Sequence, residues 1–406
     1  MFERSRAGAT PHPVVFMVLI IPFGVMSGYL TVALTYLLAK AGLSVEEISS
    51  LIFISFLPQT WKFLWAPIAD TTLTRKTWYW VAALTSAFGI FAMGAVPATA
   101  AGLSVLDAVV FVANVASTFL AMAVESLLVY STPAKFHGRA AGWYQAGNLG
   151  GGGLGGGLGL WLAQTLPSPV FAGAILAVVC LACAAGLWFV AEPPRAALER
   201  LGPRLAGLGR ELWGLVRSRI GVLACLICLL PIGSGAASNL WSALADDWHA
   251  SANTVALVNG VLGGVVSAVG CLVGGYACDR MDRKTGYALY GLIQAACAVG
   301  MALAPRTEEM FVLFTLLYAF ISGLTYAGFS AVVLEAIGLG AAATKYNVLA
   351  SLANMPIAGM TLVDGWSQTH WGTSAMLYVE ALCGVMAIVV FLALASIRVR
   401  KLAPAA

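Results

Sequence analysis

The sequence predicts an all-α membrane protein with twelve transmembrane helices in two pseudo-symmetric six-helix bundles. Three observations predict it. Of 406 residues, 60% are hydrophobic and 10% charged, with a mean hydropathy of +0.88; a soluble domain carries about 25% charged residues. Twelve apolar stretches each reach the length needed to cross the hydrocarbon layer. One pattern of charges recurs in both halves of the chain, offset by about 210 residues.

Taken in order, the spans fall at about 14–38, 48–69, 78–97, 104–130, 140–163, 170–191, 219–239, 254–277, 286–304, 310–337, 345–363 and 372–396. Span one follows a short basic N-terminus, and no small-residue cleavage site closes it. It therefore reads as a helix and not as a removed signal peptide. No lipid-anchor motif is present. Span two contains Pro58 and Pro67. Each removes a backbone donor, which predicts a bend. Span four is apolar except for Glu125 in its interior. Span five holds nine glycines between Gly147 and Gly159. That density predicts a helix that lies close against a neighbour, or slides on it. Pro193 and Pro194 end span six. Residues 192–218 then place leucines and a tryptophan at helical spacing with arginines between them. This linker predicts an amphipathic helix on the inner membrane face, a partner-binding helix being the other reading. It separates an N-terminal bundle, 1–191, from a C-terminal bundle, 219–406.

The charges orient the chain. With both termini cytoplasmic, Arg4, Arg6, Arg75, Lys76, Lys135, Arg139, Arg280, Arg283, Lys284, Lys345, Arg398, Arg400 and Lys401 lie inside, with the linker arginines. Lys40 and Arg306 lie outside, and Lys62 is at or in the membrane. This is a strong positive-inside bias, and an odd helix count would break it in the second half.

The repeat is carried by matched residues. Asp70 is followed by Arg75, Lys76 and Thr77; Asp279 is followed by Arg283, Lys284 and Thr285. Glu125 precedes Lys135 by ten residues, as Glu335 precedes Lys345. Two parallel six-span repeats about an axis along the membrane normal, joined by a linker, are the major facilitator architecture. In it, a central cleft lies between the halves and its gates open in turn.

Candidate functional residues follow from the cost of burying polar groups. An acid inside a membrane span is expensive and is a functional hypothesis by default. Glu125 is the first choice for proton coupling; the bland alternative is an acid satisfied by Arg139 or Lys135. Glu335 is its counterpart, nearer the inner face. Glu380 is a third acid, discounted because outer helices of this architecture face lipid. Tyr29, Gln59, Trp61, Lys62, Asn114, Gln145, Asn148, Asn239, Tyr326 and Asn354 outline the cleft, because amides in spans should face the interior. Asn259 belongs to the same set, and Trp241 is a weak member because tryptophans near span ends are often interfacial anchors. Lys62 either snorkels to headgroups or binds an anionic solute. Asp70, Arg75, Lys76, Asp279, Arg283 and Lys284 read as a cytoplasmic gate.

Other chemistry is excluded. Cys225 and Cys228 have redox or zinc spacing, but they lie in an apolar segment without nearby His or acid ligands. They read as buried thiols. There is no phosphate-binding loop, catalytic triad or metal cluster, so the chain is not expected to be an enzyme or to carry a cofactor. Its expected partners are a small-molecule solute, protons and the lipid bilayer. No nucleic acid is expected, and the expected oligomeric state is a monomer.

WKFLWAPIADTT at 61–72, ASTFLAMAVESLLVY with GRAAGWYQAGNLGGGGLGGG across spans four and five, and AATKYNVLASLANMP at 342–356 resemble AmpG-like permeases. That group contains muropeptide permeases, acetyl-CoA transporters and some siderophore importers. The resemblance covers both halves. It implies proton-driven uptake across a bacterial inner membrane. Muropeptide permeases carry an aspartate where this chain has Glu125, so the charge is kept and the reach is longer. They often have extra C-terminal helices, and the compact form with a glycine-rich span five looks closer to the siderophore importers. The expectation is therefore a proton-coupled inner-membrane importer of a bulky polar solute, a ferric siderophore first. The alternatives are a muropeptide permease, drug or metabolite efflux and, from another class, a non-transporting receptor or scaffold.

Overall fold

The computed structural model describes residues 11–133, 137–192, 201–217, 219–278, 280–337, 348–349 and 351–400. Lys135, Asp279 and Lys345 lie outside the described residues. The described residues are helical nearly throughout.

In chain order the helices are α1 (Val14–Lys40), α2 (Val45–Thr71), α3 (Arg75–Ala95), α4 (Leu103–Ser131) and α5, which starts as His137–Gly153 and runs on to Thr165. α6 (Pro169–Phe189) and α7 (Leu201–Arg217) follow. Next are α8 (Arg219–Cys228), α9 (Ala252–Cys278), α10 (Arg283–Leu303), α11 (Glu308–Ile337), α12 (Asn354–Trp371) and α13 (Thr373–Arg400). Among the described residues, eight helices are long and apolar enough to cross a membrane: α1, α3, α4, α6, α9, α10, α11 and α13. The other four candidates have visible reasons for falling short. α2 carries Glu46, Glu47, Lys62 and Asp70; α5 is glycine-rich; α8 is ten residues long; α12 holds Asp364, Gln368 and His370. Three of them, α2, α5 and α12, supply most of the contacts between the two halves, where neighbouring helices shield them from lipid.

The repeat is visible in local structure and in packing. α3 and α10 each have 21 residues. Each is capped one residue before it starts. Thr74 Oγ1 accepts from the Thr77 N–H at 3.2 Å, and Asp282 Oδ2 accepts from the Thr285 N–H at 2.9 Å. The Thr285 backbone N–H, and then its hydroxyl, hold the Asp282 carboxyl below the usual carboxylate range. Helix pairs α3–α4, α3–α6 and α2–α4 pack as do α10–α11, α10–α13 and α9–α11.

Glycine sets the distance between α1 and α5. A methyl group on Gly24 would sit 2.0 Å from the Asn148 carbonyl oxygen, and one on Gly28 would sit 2.0 Å from that of Gly152. Such spacing tolerates no side chain, so the glycine run does build close packing as its composition predicts. α2 runs as one continuous helix through Pro58 and Pro67. The prediction of a single helix over 219–239 needs correction, because span seven is discontinuous. α8 stops at Cys228, and short 3₁₀ and α turns carry the chain from Ala236 to Trp248. Pro231 cannot donate, and Gly233 and Gly235 take left-handed φ values of 53° and 72°.

Candidate functional site

The two halves meet most tightly at one end of the bundle. There α1 ends at Lys40, whose Nζ donates to Asp246 Oδ1 at 2.6 Å on the turn after α8. The first turn of α2 lies on the last turns of α12. A methyl group on Gly365 would sit 2.1 Å from Ser49 Oγ. The Glu46 N–H donates to Thr369 Oγ1 at 3.0 Å, and Glu46 Oε2 lies 3.8 Å from His370 Nδ1. α5 lies on α9 the same way. A methyl group on Gly260 would sit 2.4 Å from the Gly157 nitrogen. Both helices widen into π-turns here, Leu154–Leu158 and Ala256–Leu262, and a third π-turn in α1, Tyr29–Leu34, touches both. π-turns recur at functional positions in helices. Three contacts, α1 with the turn after α8, α2 with α12 and α5 with α9, thus shut this end.

Toward the other end, Glu125 and Tyr326 are exposed. Glu125 stands six residues before the end of α4, about 9 Å from it at 1.5 Å per residue. Its Oε1 accepts from the Tyr144 hydroxyl of α5 at 3.0 Å. Tyr144 is also close enough to Tyr326 of α11, in the opposite half, for their phenols to interact electrostatically. Glu125 and Tyr144 thus lie at the end of the bundle opposite those contacts. Among the described residues its partner is this tyrosine; Lys135 and the side chain of Arg139, the partners in the bland alternative, lie outside them.

The other expected cleft residues divide. Gln145 and Asn148 hydrogen-bond to each other at 3.3 Å, one turn from Tyr144 on α5. Trp61 is exposed on α2, and Gln59 and Lys62 beside it are half-buried. Asn354 is half-buried and donates to the Ser351 carbonyl at 3.3 Å. Three residues are placed otherwise. Tyr29 turns into the N-terminal bundle, its ring against Gly159 and its hydroxyl beside Gly94. Asn114 is buried and bonds its own helix at Val110. Asn239 Nδ2 donates to Thr361 Oγ1 at 3.0 Å, bracing the turns after α8 against α12. Their amide and hydroxyl groups satisfy the interior rule by facing bundle interiors, which a sequence cannot separate from facing the cleft.

Among the expected gate residues, the backbone N–H groups of Arg75 and Lys76 donate to Glu192 Oε1 and Oε2 at 2.8 and 3.1 Å. Glu192 so fastens the end of α6 to the start of α3. The side chains of Asp70 and Glu335 lie outside the described residues, as does Asp279; Arg283 and Lys284 begin α10. No group of three or more His, Cys, Asp or Glu residues able to hold a metal occurs among the described residues.

Sequence reasoning passes over one further acid. Asp364, in the middle of α12, is fully buried, and both carboxylate oxygens lack hydrogen-bond partners. Glu380 of α13 is also buried and accepts from the Tyr318 hydroxyl of α11. It faces its own bundle, not lipid. The rule that singles out Glu125, a lone acid in an apolar span, applies equally to Asp364.

Comparison with known proteins agrees with this architecture. The anhydromuropeptide permease of Escherichia coli (strain K12) is 24% identical over 401 residues, covering 93% of this chain and 79% of that protein. The solved nucleoside transporter NupG superposes with a TM-score of 0.73 at 12% identity, covering 94% of this chain and 98% of that one. A D-xylose-proton symporter gives a TM-score of 0.71 at 15% identity, covering 93% and 96%. Residues 15–355 match the family described as Major Facilitator Superfamily. That match spans most of the chain and agrees with its helical architecture and its neighbours in structure, so the protein belongs to the Major Facilitator Superfamily and is a multi-pass membrane transporter.

Proposed function

We propose that this chain is a proton-coupled importer in a bacterial inner membrane, and that its solute is of the muropeptide class. The observation that carries the coupling is the Glu125–Tyr144 hydrogen bond at the end opposite the closed contacts. A carboxylate there can take a proton from the cytoplasmic side, and the hydrogen bond from Tyr144 then loses its charge assistance and weakens. Weakening of that bond changes how α4 holds α5. α5 in turn carries Gly157 and the closed contact with α9. Protonation at one end is thereby linked to closure at the other.

Residues 1–191 and 219–406 act as the two rocking units, with the linker helix α7 lying on the inner membrane face. Arg75, Lys76, Arg280, Arg283 and Lys284 fall at the end opposite the Lys40–Asp246 contact. By the positive-inside rule that end is cytoplasmic. The closed contacts then form the outer gate, and Glu125 opens toward the cytoplasm. Trp61, Lys62, Gln145, Asn148, Tyr326 and Asn354 line the solute path, and their mixture of rings, amides and one cation suits a bulky, partly anionic solute. Asp70, Arg75, Lys76, Asp279, Arg283 and Lys284 form the inner gate, and Glu335 is the C-terminal partner of Glu125.

The solute class is supported by the likeness to anhydromuropeptide permease over most of both chains. A siderophore is supported only by the form of the sequence. Uptake of labelled anhydromuropeptide and of labelled ferric siderophore into vesicles, with and without a proton gradient, tests both parts. Gradient-dependent accumulation of the muropeptide is expected. Accumulation of the siderophore alone overturns the solute class, export overturns the direction, and accumulation indifferent to the gradient overturns the coupling.

A further inference from the structure

The C-terminal half buries two carboxyl groups together. Asp364 on α12 and Glu380 on α13 interact electrostatically, and Tyr318 of α11 reaches Glu380 with its hydroxyl. Both acids are buried, and three of their four carboxyl oxygens have no hydrogen-bond partner. Two ionised carboxylates without counter-charge are not stable in such a place. Among the described residues no Lys, Arg or His hydrogen-bonds or ion-pairs with either acid. The ionisable groups that face the pair are Tyr318 from α11, Cys297 from α10 and Cys383 from α13. α2, which packs on α12, brings Glu46 against His370, six residues beyond Asp364.

The pair has an approach path. A cavity of about 10 Å³ touches Glu380 and is lined by Pro231, Gly233, Ser234 and Gln294. That volume is about right for a single water molecule. Its wall is the break in span seven, where Pro231 interrupts the helix and Gly233 takes a left-handed φ. Non-helical backbone at membrane depth is tolerated where it is buried in protein or lines a cavity. The pair also has an output. Gly365, the residue after Asp364, makes the contact with Ser49 that closes α2 against α12.

From this geometry we infer that Asp364 and Glu380 form a second proton-binding site, which holds one exchangeable proton and reports to the closed gate through Gly365. This rests on the proton-coupled reading but not on Glu125. Uptake of the proton converts one carboxylate to a carboxylic acid that can donate to its neighbour. Its loss leaves two negative charges that push α12 from α13, and so shift the turn that seats Gly365 on Ser49.

Infrared difference spectroscopy on the full-length protein in lipid vesicles, stepped across pH in light and heavy water, reads carboxyl protonation directly. The wild type should show a titrating carboxylic-acid band that survives E125Q. D364N and E380Q should each abolish it, and E380D should keep it at a shifted position. If D364N fails to insert, E380Q and E380D decide alone. A band that persists in both E380Q and D364N overturns the assignment, as does one removed entirely by E125Q. Displacement of the band by sodium at fixed pH makes the site a sodium site and also overturns it. If the band behaves as expected while vesicle uptake ignores the proton gradient, the site stands and the coupling reading fails; gradient-driven uptake without the band gives the reverse.

Discussion

Lys40 and Asp246 stand 206 residues apart in sequence and 2.6 Å apart in space. They tie the last residue of α1 to the turn after α8, across the two halves. Both side chains are about half exposed, and an exposed pair contributes less than about 1 kcal/mol. K40A or D246A should therefore slow transport by no more than several-fold. Position matters more than charge. In a cysteine-free background, a disulfide between K40C and D246C should stop vesicle uptake, and reduction should restore it. Uptake that continues while cross-linking is complete counts against an end that must open.

Gly365 offers a stronger test of the same end. G365A places a methyl group where Ser49 Oγ now lies, and the backbones of α2 and α12 must separate to admit it. Uptake should fall at least tenfold, with the protein still monodisperse on gel filtration. S49G in the same chain should recover part of the loss. Recovery distinguishes a local clash from a general folding defect.

E125Q should abolish accumulation against a gradient while leaving exchange of solute between the two sides. Y144F keeps the ring and removes the donor. Its accumulation should fall less, and the pH at which uptake is half-maximal should move. Solute counterflow and gradient-driven uptake, measured side by side, separate the two effects. Equal loss of both in E125Q indicates a structural acid.

Asp282 makes a pH prediction outside the membrane. Its carboxyl is held low by the Thr285 N–H, so the cap is fully formed above the ordinary carboxylate range. The stability it contributes is lost as pH falls through the lowered folded value. D282A should cost about 1 kcal/mol and D282N much less. Thermal unfolding in detergent at neutral and acid pH checks this, and the difference between D282A and wild type should shrink in acid.

Much of this fold can be read from the chain because membranes penalise charge. The charged turns that flank α3 and α10, and the glycines of α5, have few uses in lipid except those the structure shows. What cannot be read is direction. Tyr29, Asn114 and Asn239 obey the rule that polar groups avoid lipid, yet they turn into bundle interiors. The facing side of a helix is fixed by its neighbours, and a near-uniformly apolar span carries little periodicity to reveal it. The π-turns add to the difficulty by shifting the face partway along a helix. The break in span seven was signalled by Pro231, Gly233 and Gly235, while the apolar residues around them matched a plain helix. Glu380 shows the limit of arguing from helix rank in the bundle, since an outer helix also has an inner face.

Each π-turn in α1, α5 and α9 holds one residue more than an α-turn would need. Deleting a single residue from 154–158 would let α5 wind regularly. The residues beyond it would keep their phase, because the bulge absorbs the extra residue's turn of about 100°, and Gly159 would stay against the Tyr29 ring. The same deletion from a regular turn of α5 would rotate everything beyond it by about 100°. One residue should therefore be lost from 154–158 with less harm than from the regular turns on either side, a pattern that a scan of single-codon deletions across α5 would expose.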